Sequence, residues 1–305
     1  MATLLAANAS FAQTGGSESQ DVAAIKTVME SMATLADRNE YDALENLFAD
    51  EVEVDYTSLG GGEVEVKSGQ ALMTGWASLL PGFERTRHVL TDLAVSVDGD
   101  AATASSKVTA DHWVDGLFWS VSGTYDFAMI RDDGQWRITM LRLNFESETG
   151  TRDVFGAAVK RAGENPSPYL VRQKTRQTVM SFLDSLAAKD MDAFASLWAE
   201  DAVADEPFAP ESASRRIVGK TAIVELFSAW AENTGTADFS SRLAIHPMLD
   251  PEQAFVEFDG AMEVAAAGGS YEQTYAALFH VTDGEISLYR VYYDPVEYMK
   301  AFPSK

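Results

Sequence analysis

Two of the four histidines in this 305-residue chain lie within one stretch, Thr86 to Trp113. His88 and His112 are separated by residues that alternate between polar and apolar, with an Asp-Gly-Asp turn at 98–100. Two antiparallel strands joined at that turn would let both imidazoles face one cavity. An imidazole, with an unperturbed pKa of about 6.5, can take or give a proton near neutral pH. The stretch therefore predicts an acid–base site, against the plainer alternative of two polar side chains at strand positions.

The elements that must position these histidines follow an order that occurs twice. Apolar residues at helical spacing predict three helices between residues 20 and 80. Alternating residues predict strands at 86–97, 101–114, 119–131 and 135–147, and a helix ends near Arg161. Residues 162–168 (AGENPSP) are typical of a linker, and helices followed by strands recur after it. This order predicts an α+β fold in which about three helices per domain pack on a curved antiparallel sheet.

Residue pairs 150 positions apart indicate a tandem duplication. Examples are Asp55 with Asp205, Tyr125 with Tyr275, and Asp133-Gly134 with Asp283-Gly284. With such a long period, the repeated unit is a whole domain. The predicted domains span 20–161 and 169–305, and residues 1–19 form a disordered tail or an export-signal remnant.

The polar candidates of the first repeat do not recur in the second. The matched positions are Asp37 with Ala187, Tyr56 with Glu206, His88 with Leu243, and His112 with Val264. Since the fold accepts aliphatic residues at three of these positions, it does not itself require the two histidines and the aspartate. The asymmetry favours a functional interpretation of the four first-repeat residues. The second repeat is expected to be a scaffold domain, although Glu206 and Tyr275 could line a second pocket.

Short motifs in the first repeat resemble the nuclear transport factor 2-like superfamily in its SnoaL-like branch, which includes scytalone dehydratase and ketosteroid isomerase. The motifs are Val54-Asp55-Tyr56-Thr57-Ser58 and Arg85-Thr86-Arg87-His88. The resemblance implies two tandem cone-shaped domains. It also implies a water-binding tyrosine at Tyr56, a catalytic histidine at His88, and an acid, Asp37, paired with His112. The family's second pocket tyrosine is replaced by Ala36, and its small polar residues are replaced around 123–125, which leaves the substrate open.

The predicted function is that of a cofactor-independent lyase acting on a small, hydrophobic or aromatic, polyketide-like substrate. His88 would be the base, and Tyr56 would hold the leaving hydroxyl or an oxyanion. Candidate substrate-binding residues are Tyr125, Trp113, Trp119 and Trp76. An isomerase or cyclase using the same base, a ligand-binding protein without turnover and a dimerising module are the alternatives. A metal site is a weaker alternative, since beside the histidines only Asp111 adds an acid, and it should point to the opposite sheet face.

The composition limits the partners. The net charge of −24 disfavours nucleic acid and anionic membrane surfaces, and the absence of cysteine excludes disulfides and thiol nucleophiles. No apolar run reaches the roughly 20 residues that a spanning helix needs. The two repeats are expected to pack as an intrachain pseudo-dimer, with further homo-oligomers left open. The compartment is left open between cytoplasm and periplasm.

Overall fold

The computed structural model describes residues 3–210, 213–264 and 269–302, with side chains from residue 19 onward. The chain divides into two compact units, Met1–Leu170 and Val171–Lys305. Each unit has a hydrophobic core of its own. The predicted α+β class is confirmed, since each unit combines one sheet with packed helices.

The first unit contains one six-stranded sheet. Its helices are α1 (Thr3–Asp37), α2 (Tyr41–Glu45), α3 (Thr57–Gly60), α4 (Gly69–Ala77) and α5 (Asp153–Glu164), with a 3-10 turn at Leu80–Gly82. Its strands are β1 (Phe48–Asp55), β2 (Glu65–Ser68), β3 (Arg85–Asp98), β4 (Ala101–Val114), β5 (Leu117–Asp132) and β6 (Gln135–Gly150). The order across the sheet is β2-β1-β6-β5-β4-β3.

The sheet is mixed, whereas the sequence predicted an antiparallel one. Strand β1 pairs in parallel with β6, and the other neighbouring strands are antiparallel. A parallel neighbour requires a long connection, and about eighty residues separate the end of β1 from the start of β6. Short turns join β3 through β6, so the histidine-bearing hairpin was predictable from local pattern alone.

Alternation along β4 assigns its side chains to two faces. Residues from Ala102 to Val114 with even numbers are buried, and their odd-numbered neighbours are intermediate or exposed. Strand β3 has a register shift between Thr91 and Ala94, where Asp92 takes a left-handed φ of 55°. A bulge of this kind bends a strand and increases its twist. The bend makes the buried face of the sheet concave.

Helix α1 covers part of this concave face. Its buried residues Ile25, Met29 and Met32 recur at helical spacing and enter the core. The helix ends at Asp37, and Asn39 then adopts a left-handed φ of 57°. Such a residue commonly ends a helix, because it turns the chain away from the helix axis. The last turn of α1 therefore stays beside the sheet.

The second unit repeats this arrangement. Its helices are α6 (Pro168–Ala188), α7 (Met191–Ser196), α8 (Lys220–Asn233) and α9 (Pro295–Ala301). Its strands are β7 (Trp198–Asp205), β8 (Arg216–Val218), β9 (Thr234–Asp238), β10 (Leu243–Pro247), β11 (Gln253–Val264), β12 (Gly269–Thr282) and β13 (Glu285–Tyr292). The strand predicted near 239–248 is the shorter β10, and β9, which lies before it, was not predicted. Both β9 and β10 pair with β11, and residues 239–242 interrupt them.

The ends of the first domain differ in detail from the prediction. Helix α1 begins at Thr3, within the predicted tail at 1–19. The interpretation of that tail as an export-signal remnant stays a prediction. Tyr169, assigned by sequence to the second domain, is buried in the first core. Its hydroxyl donates to a Glu45 carboxylate oxygen at 2.8 Å, and its ring lies 5.8 Å from that of Tyr41. Among the described residues, no helix is long and apolar enough to cross a membrane.

Candidate active site

A cavity of about 420 Å³ opens between the helices and the concave sheet face of the first unit. Its walls are mainly aliphatic and aromatic, from Met32 and Ala36 of α1 to Val121 and Leu143 of the sheet. Its polar lining includes Tyr56, His88, His112, Tyr125 and Arg152. An apolar cavity with a few converging polar groups is the usual form of a small-molecule site.

Asp37 and His88 form a hydrogen-bonded pair at the edge of this cavity. His88 Nδ1 lies 2.7 Å from Asp37 Oδ1, and the His88 backbone N–H donates to Asp37 Oδ2 at 2.8 Å. The Thr86 hydroxyl donates to Asp37 Oδ1, also at 2.8 Å. Thr86 and His88 share a strand face because side chains two apart on a strand point the same way. The carboxylate is thus fixed by three groups of β3, and it fixes the imidazole in turn.

The resemblance-based pairing of Asp37 with His112 is wrong. Asp37 ends α1 directly over β3, whereas His112 lies one strand further, on β4. The carboxylate therefore reaches His88 first. Although burial on its own raises the pKa of Asp37, hydrogen bonds and charge attraction from His88 outweigh it and lower that pKa. Asp37 is therefore a carboxylate at neutral pH.

His112 lies deeper, with 5% of its surface exposed. Its ring centre is 5.6 Å from that of His88, and the two rings are nearly perpendicular. The rings of Phe83 and Trp119 flank it at 4.8 and 5.1 Å. Burial, followed by repulsion from His88, lowers the pKa of His112 to about 4. His112 is therefore a neutral imidazole at neutral pH, and its buried Nδ1 has no partner among the described residues.

Two tyrosines supply hydroxyl groups to the same cavity. Tyr56 follows β1, and Tyr125 lies on β5 opposite Ser106. Burial raises the pKa of Tyr125 to about 12, and burial together with the neighbouring Tyr125 raises the pKa of Tyr56 well above its usual value. The two phenols are close enough for each to affect the pKa of the other. Both remain protonated, so the pair can donate a hydrogen bond to an oxygen atom of a ligand.

Of the three tryptophans predicted to bind substrate, two line the cavity and one does not. Trp76 and Trp119 line the cavity, and Trp119 Nε1 donates to Glu148 Oε2 at 2.9 Å. Trp113 is not among the lining residues, so its assignment to substrate binding is wrong. It has an odd number on β4, and it packs on the other face beneath the Arg85 guanidinium, 3.8 Å from the ring centre.

Helix α5 and the residue before it contribute two lining residues that the sequence did not single out. Phe155 packs edge-on against Trp119, with ring centres 4.8 Å apart. Arg152 donates to Glu148 at 2.8 Å and to the Leu59 carbonyl at 3.2 Å, closing one side of the cavity. No pattern in the strands indicates that a helix beyond β6 returns to the site. Thr86 could have been identified as a site residue from sequence, since it lies two residues before His88 on the same strand and therefore on the same face.

The donor set does not form a metal centre. Within the described part of the chain, no group of three or more His, Asp and Glu side chains is arranged to hold a metal ion. Asp37, the acid nearest the histidines, already accepts three hydrogen bonds from β3.

Comparison with known families agrees with this architecture. Two family models, both described as SnoaL-like domain, match residues 17–142 and 179–289. The chain belongs to the SnoaL-like family. It carries two such domains in tandem, within the nuclear transport factor 2-like superfamily.

Three relatives are each similar to a part of this chain that is about as long as one domain. The uncharacterized protein YesE of Bacillus subtilis is 30% identical over 130 residues, which cover 43% of this chain and 88% of that protein. A solved structure of a proposed isomerase from Bacillus subtilis is 28% identical, with TM-score 0.41, covering 44% of this chain and 96% of its own. A proposed scytalone dehydratase from Novosphingobium aromaticivorans is 20% identical, with TM-score 0.40, and the shares are 45% and 92%.

Strand register aligns the two SnoaL-like domains at His112. His112 pairs with Trp119 across the β4–β5 hairpin, and Val264 pairs with Gly269 across the corresponding hairpin of the second domain. Trp119 and Gly269 are 150 positions apart, as the sequence repeat requires. Val264 therefore occupies the His112 position, as the sequence comparison predicted.

The counterpart of His88 differs from the predicted Leu243. His88 pairs with Ala110, two residues before His112, and Ala237 pairs with Met262, two residues before Val264. Ala237 of β9 thus corresponds to His88. Leu243 belongs to β10, beyond the interruption. The second SnoaL-like domain still has an aliphatic residue at the site, so the asymmetry between the domains holds.

Proposed function

We propose that the first SnoaL-like domain is a lyase that eliminates water from a small ring-containing substrate by acid–base chemistry. The observation that carries this proposal is the 2.7 Å contact between Asp37 Oδ1 and His88 Nδ1 inside an apolar cavity. With Nδ1 held by the carboxylate, Nε2 is the nitrogen left for a substrate proton. An acid–base group oriented in this way typically contributes a rate factor of about 10²–10⁴.

Each polar group of the cavity has a part in the proposed reaction. His88 Nε2 takes a proton from a carbon next to a carbonyl group, and the Asp37 carboxylate stabilises the resulting imidazolium. The Tyr56 and Tyr125 hydroxyls donate to the carbonyl oxygen as negative charge develops on it. The carbon–oxygen bond of the neighbouring hydroxyl then breaks, and the leaving oxygen receives the proton from His88 and departs as water. Neutral His112 orients the leaving hydroxyl, and the reaction as written uses no cofactor.

The same cavity supports a second candidate, an isomerase. The Tyr56 and Tyr125 hydroxyls would stabilise an enolate whether or not a leaving group is present. In that case the proton taken by His88 returns to a different carbon of the substrate. A product with unchanged mass would indicate isomerisation, and loss of one water would indicate elimination.

The test is a screen of aryl and polyketide β-hydroxy ketones, with product mass and ultraviolet absorbance as readouts. We expect His88→Ala and Asp37→Asn to lower kcat/KM by about 10²–10⁴ while the proteins stay folded. The matched control is Asp92→Asn, because Asp92 is exposed at the β3 bulge and Asn also accepts a left-handed φ. Turnover like wild type in both site variants would refute the assignment.

A further inference from the structure

The second SnoaL-like domain has a cavity of its own, of about 120 Å³. Ten of its fourteen lining residues are aromatic. They are Phe227, Trp230, Phe239, Phe258, Tyr271, Tyr275, Tyr289, Tyr293, Tyr298 and Phe302. The size is close to that of the ~150 Å³ protein cavity that holds one benzene molecule. Leu186, Met262 and Val291 are aliphatic, and Glu206 is the one charged type among the described lining residues.

Glu206 occupies the position that Tyr56 has in the first domain, directly after β7. The Tyr293 hydroxyl donates to Glu206 Oε2 at 2.7 Å. Burial raises the pKa of Glu206, and the hydrogen bond from Tyr293 opposes that effect. None of the ion pairs between described residues includes Glu206, although this domain contains several surface pairs. Glu206 is partly buried, and a carboxyl group withdrawn from water without a cation is costly to ionise.

Two of the tyrosine hydroxyls around the cavity are hydrogen-bonded to other side chains. Gln273 donates to the Tyr271 hydroxyl at 3.1 Å, and the Tyr293 hydroxyl donates to Glu206. The Tyr275 ring stacks on Phe258 with ring centres 4.9 Å apart and an angle of 17°. Tyr293 and Tyr298 lie 5.6 Å apart, and Tyr298 contacts Phe302 at 4.9 Å. Because aromatic side chains form most of the lining, their rings are the main surface offered to a ligand.

We propose that this cavity binds a small organic cation of the alkylammonium class, with its charge beside Glu206 and its methyl groups against the aromatic rings. The faces of aromatic rings carry negative partial charge and attract desolvated cations. An ammonium head would give Glu206 the opposite charge that the protein does not supply. A metal ion fits this lining poorly, since hard cations need several oxygen ligands and the lining has a single carboxylate. The proposal does not depend on the chemistry of the first domain.

The proposal is tested by calorimetric titration of the full chain with two probes of equal shape. Choline carries a trimethylammonium group, and 3,3-dimethylbutan-1-ol has a neutral carbon in place of its nitrogen. We expect choline to bind at least about tenfold more tightly than the neutral alcohol. Equal binding of the two probes would make the cavity an ordinary apolar site and overturn the proposal. Absence of binding by choline at millimolar concentration would overturn it as well.

Matched variants locate the binding. We expect Glu206→Gln, which keeps the side-chain volume, to weaken choline binding by about tenfold or more. Glu257→Gln is the control, because Glu257 is a half-exposed carboxylate of the same domain, paired with His246 at 3.1 Å. His88→Ala, in the other domain, should also bind choline like wild type. Unchanged affinity in a folded Glu206→Gln would refute the proposal. If that variant fails to fold, the comparison of the two probes on the wild-type chain decides.

Discussion

His88 and His112 share one cavity but differ in what surrounds each ring. The Asp37 carboxylate contacts His88 Nδ1 and also accepts a hydrogen bond from the backbone N–H of His88. His112 is enclosed by aromatic rings and has an unpartnered buried nitrogen. An oriented imidazole beside a carboxylate suits proton abstraction, and a buried neutral imidazole suits hydrogen bonding. The difference arises from position, since the two residue types are identical.

The low pKa of His112 gives a prediction about pH. We expect its ring to titrate with a midpoint near 4 in NMR spectra of histidine-labelled protein, where four histidines are easily resolved. In the unfolded chain the ring would titrate at about 6.5. The native state therefore loses stability only as the pH falls from about 6.5 towards 4, reaching a loss of about 2 kcal/mol at pH 5.

His112→Val provides the comparison for that prediction, because Val264 shows that the fold accepts valine at this position. The variant should lack the extra loss of stability between pH 6.5 and 4. A His112 midpoint above 6 in the wild-type spectra would contradict the prediction.

The four central site residues were predictable as types, but their pairing was not. Sequence identified Asp37, Tyr56, His88 and His112, and the structure brings all four around one cavity or its edge. Which histidine meets Asp37 depends on where the last turn of α1 lies over the sheet. That placement results from packing of Met29 and Met32, which residue spacing does not reveal. Trp113 was wrongly assigned to the cavity for a simpler reason: as the next residue along β4, it points to the face opposite that of His112.

At the scale of elements, the cavity depends on a close contact between the 3-10 turn Leu80–Gly82 and α5. A Cβ atom on Gly82 would lie 1.8 Å from the Ala158 carbonyl oxygen. Helix α5 carries Phe155 and directly follows Arg152, and both residues line the cavity. A side chain at position 82 would therefore push α5 away from the turn and disturb one wall of the site.

Gly82→Ala is accordingly expected to destabilise the protein by about 1–3 kcal/mol through overpacking. The matched change is Gly75→Ala, inside α4, where a Cβ meets nothing within 4 Å. That change should stabilise the protein by about 0.5–1 kcal/mol, since alanine favours a helix. Calorimetric melting temperatures measure both. A Gly82→Ala protein that melts at or above the wild-type temperature would disprove the role of the close contact.

Long strands were predictable within a few residues, and short elements were not. The predicted strand 101–114 coincides with β4, because fourteen residues of alternation leave little doubt about the type. The four-residue elements α3 and β2 were missed, since so few residues carry no period. The five-residue β9 was also missed. It is a strand because it pairs with β11, which is a long-range contact.

At the scale of the whole molecule, the duplication was the most reliable inference from sequence. The turns at Asp133-Gly134 and Asp283-Gly284 have the same left-handed backbone, with φ of 46° and 78° in one and 54° and 91° in the other. The repeated Asp55 and Asp205 both accept from an arginine Nε, Arg142 at 2.9 Å and Arg290 at 2.8 Å. The features that recur at this period thus belong to the scaffold of each domain.

The boundary between the domains gives a prediction about Tyr169. This residue lies on α6 but is buried in the first core, against Tyr41 and Glu45. Tyr169→Ala should destabilise the first domain by about 3–5 kcal/mol, and Tyr169→Phe by about 1 kcal/mol through loss of the hydrogen bond.

Hydrogen exchange followed by mass spectrometry measures this effect by domain. In Tyr169→Ala, exchange should accelerate in β4–β6 and remain as in wild type in β11–β13. Arg176→Ala is the control, because Arg176 is exposed on the same helix. Acceleration confined to the second domain would reverse the assignment of Tyr169.

The break at 239–242, between β9 and β10, determines how readily the acid–histidine pair of the first domain could be introduced into the second. A transplant of the acid–histidine pair would need Ala187→Asp and Ala237→His, at the positions that register assigns. In the donor, His88 sits on a fourteen-residue strand, whereas Ala237 is the fourth residue of a five-residue strand. A new histidine there would have a less rigid support, and the bond to its partner would be correspondingly looser. An engineer would have to make the strand continuous before the transplanted pair could work.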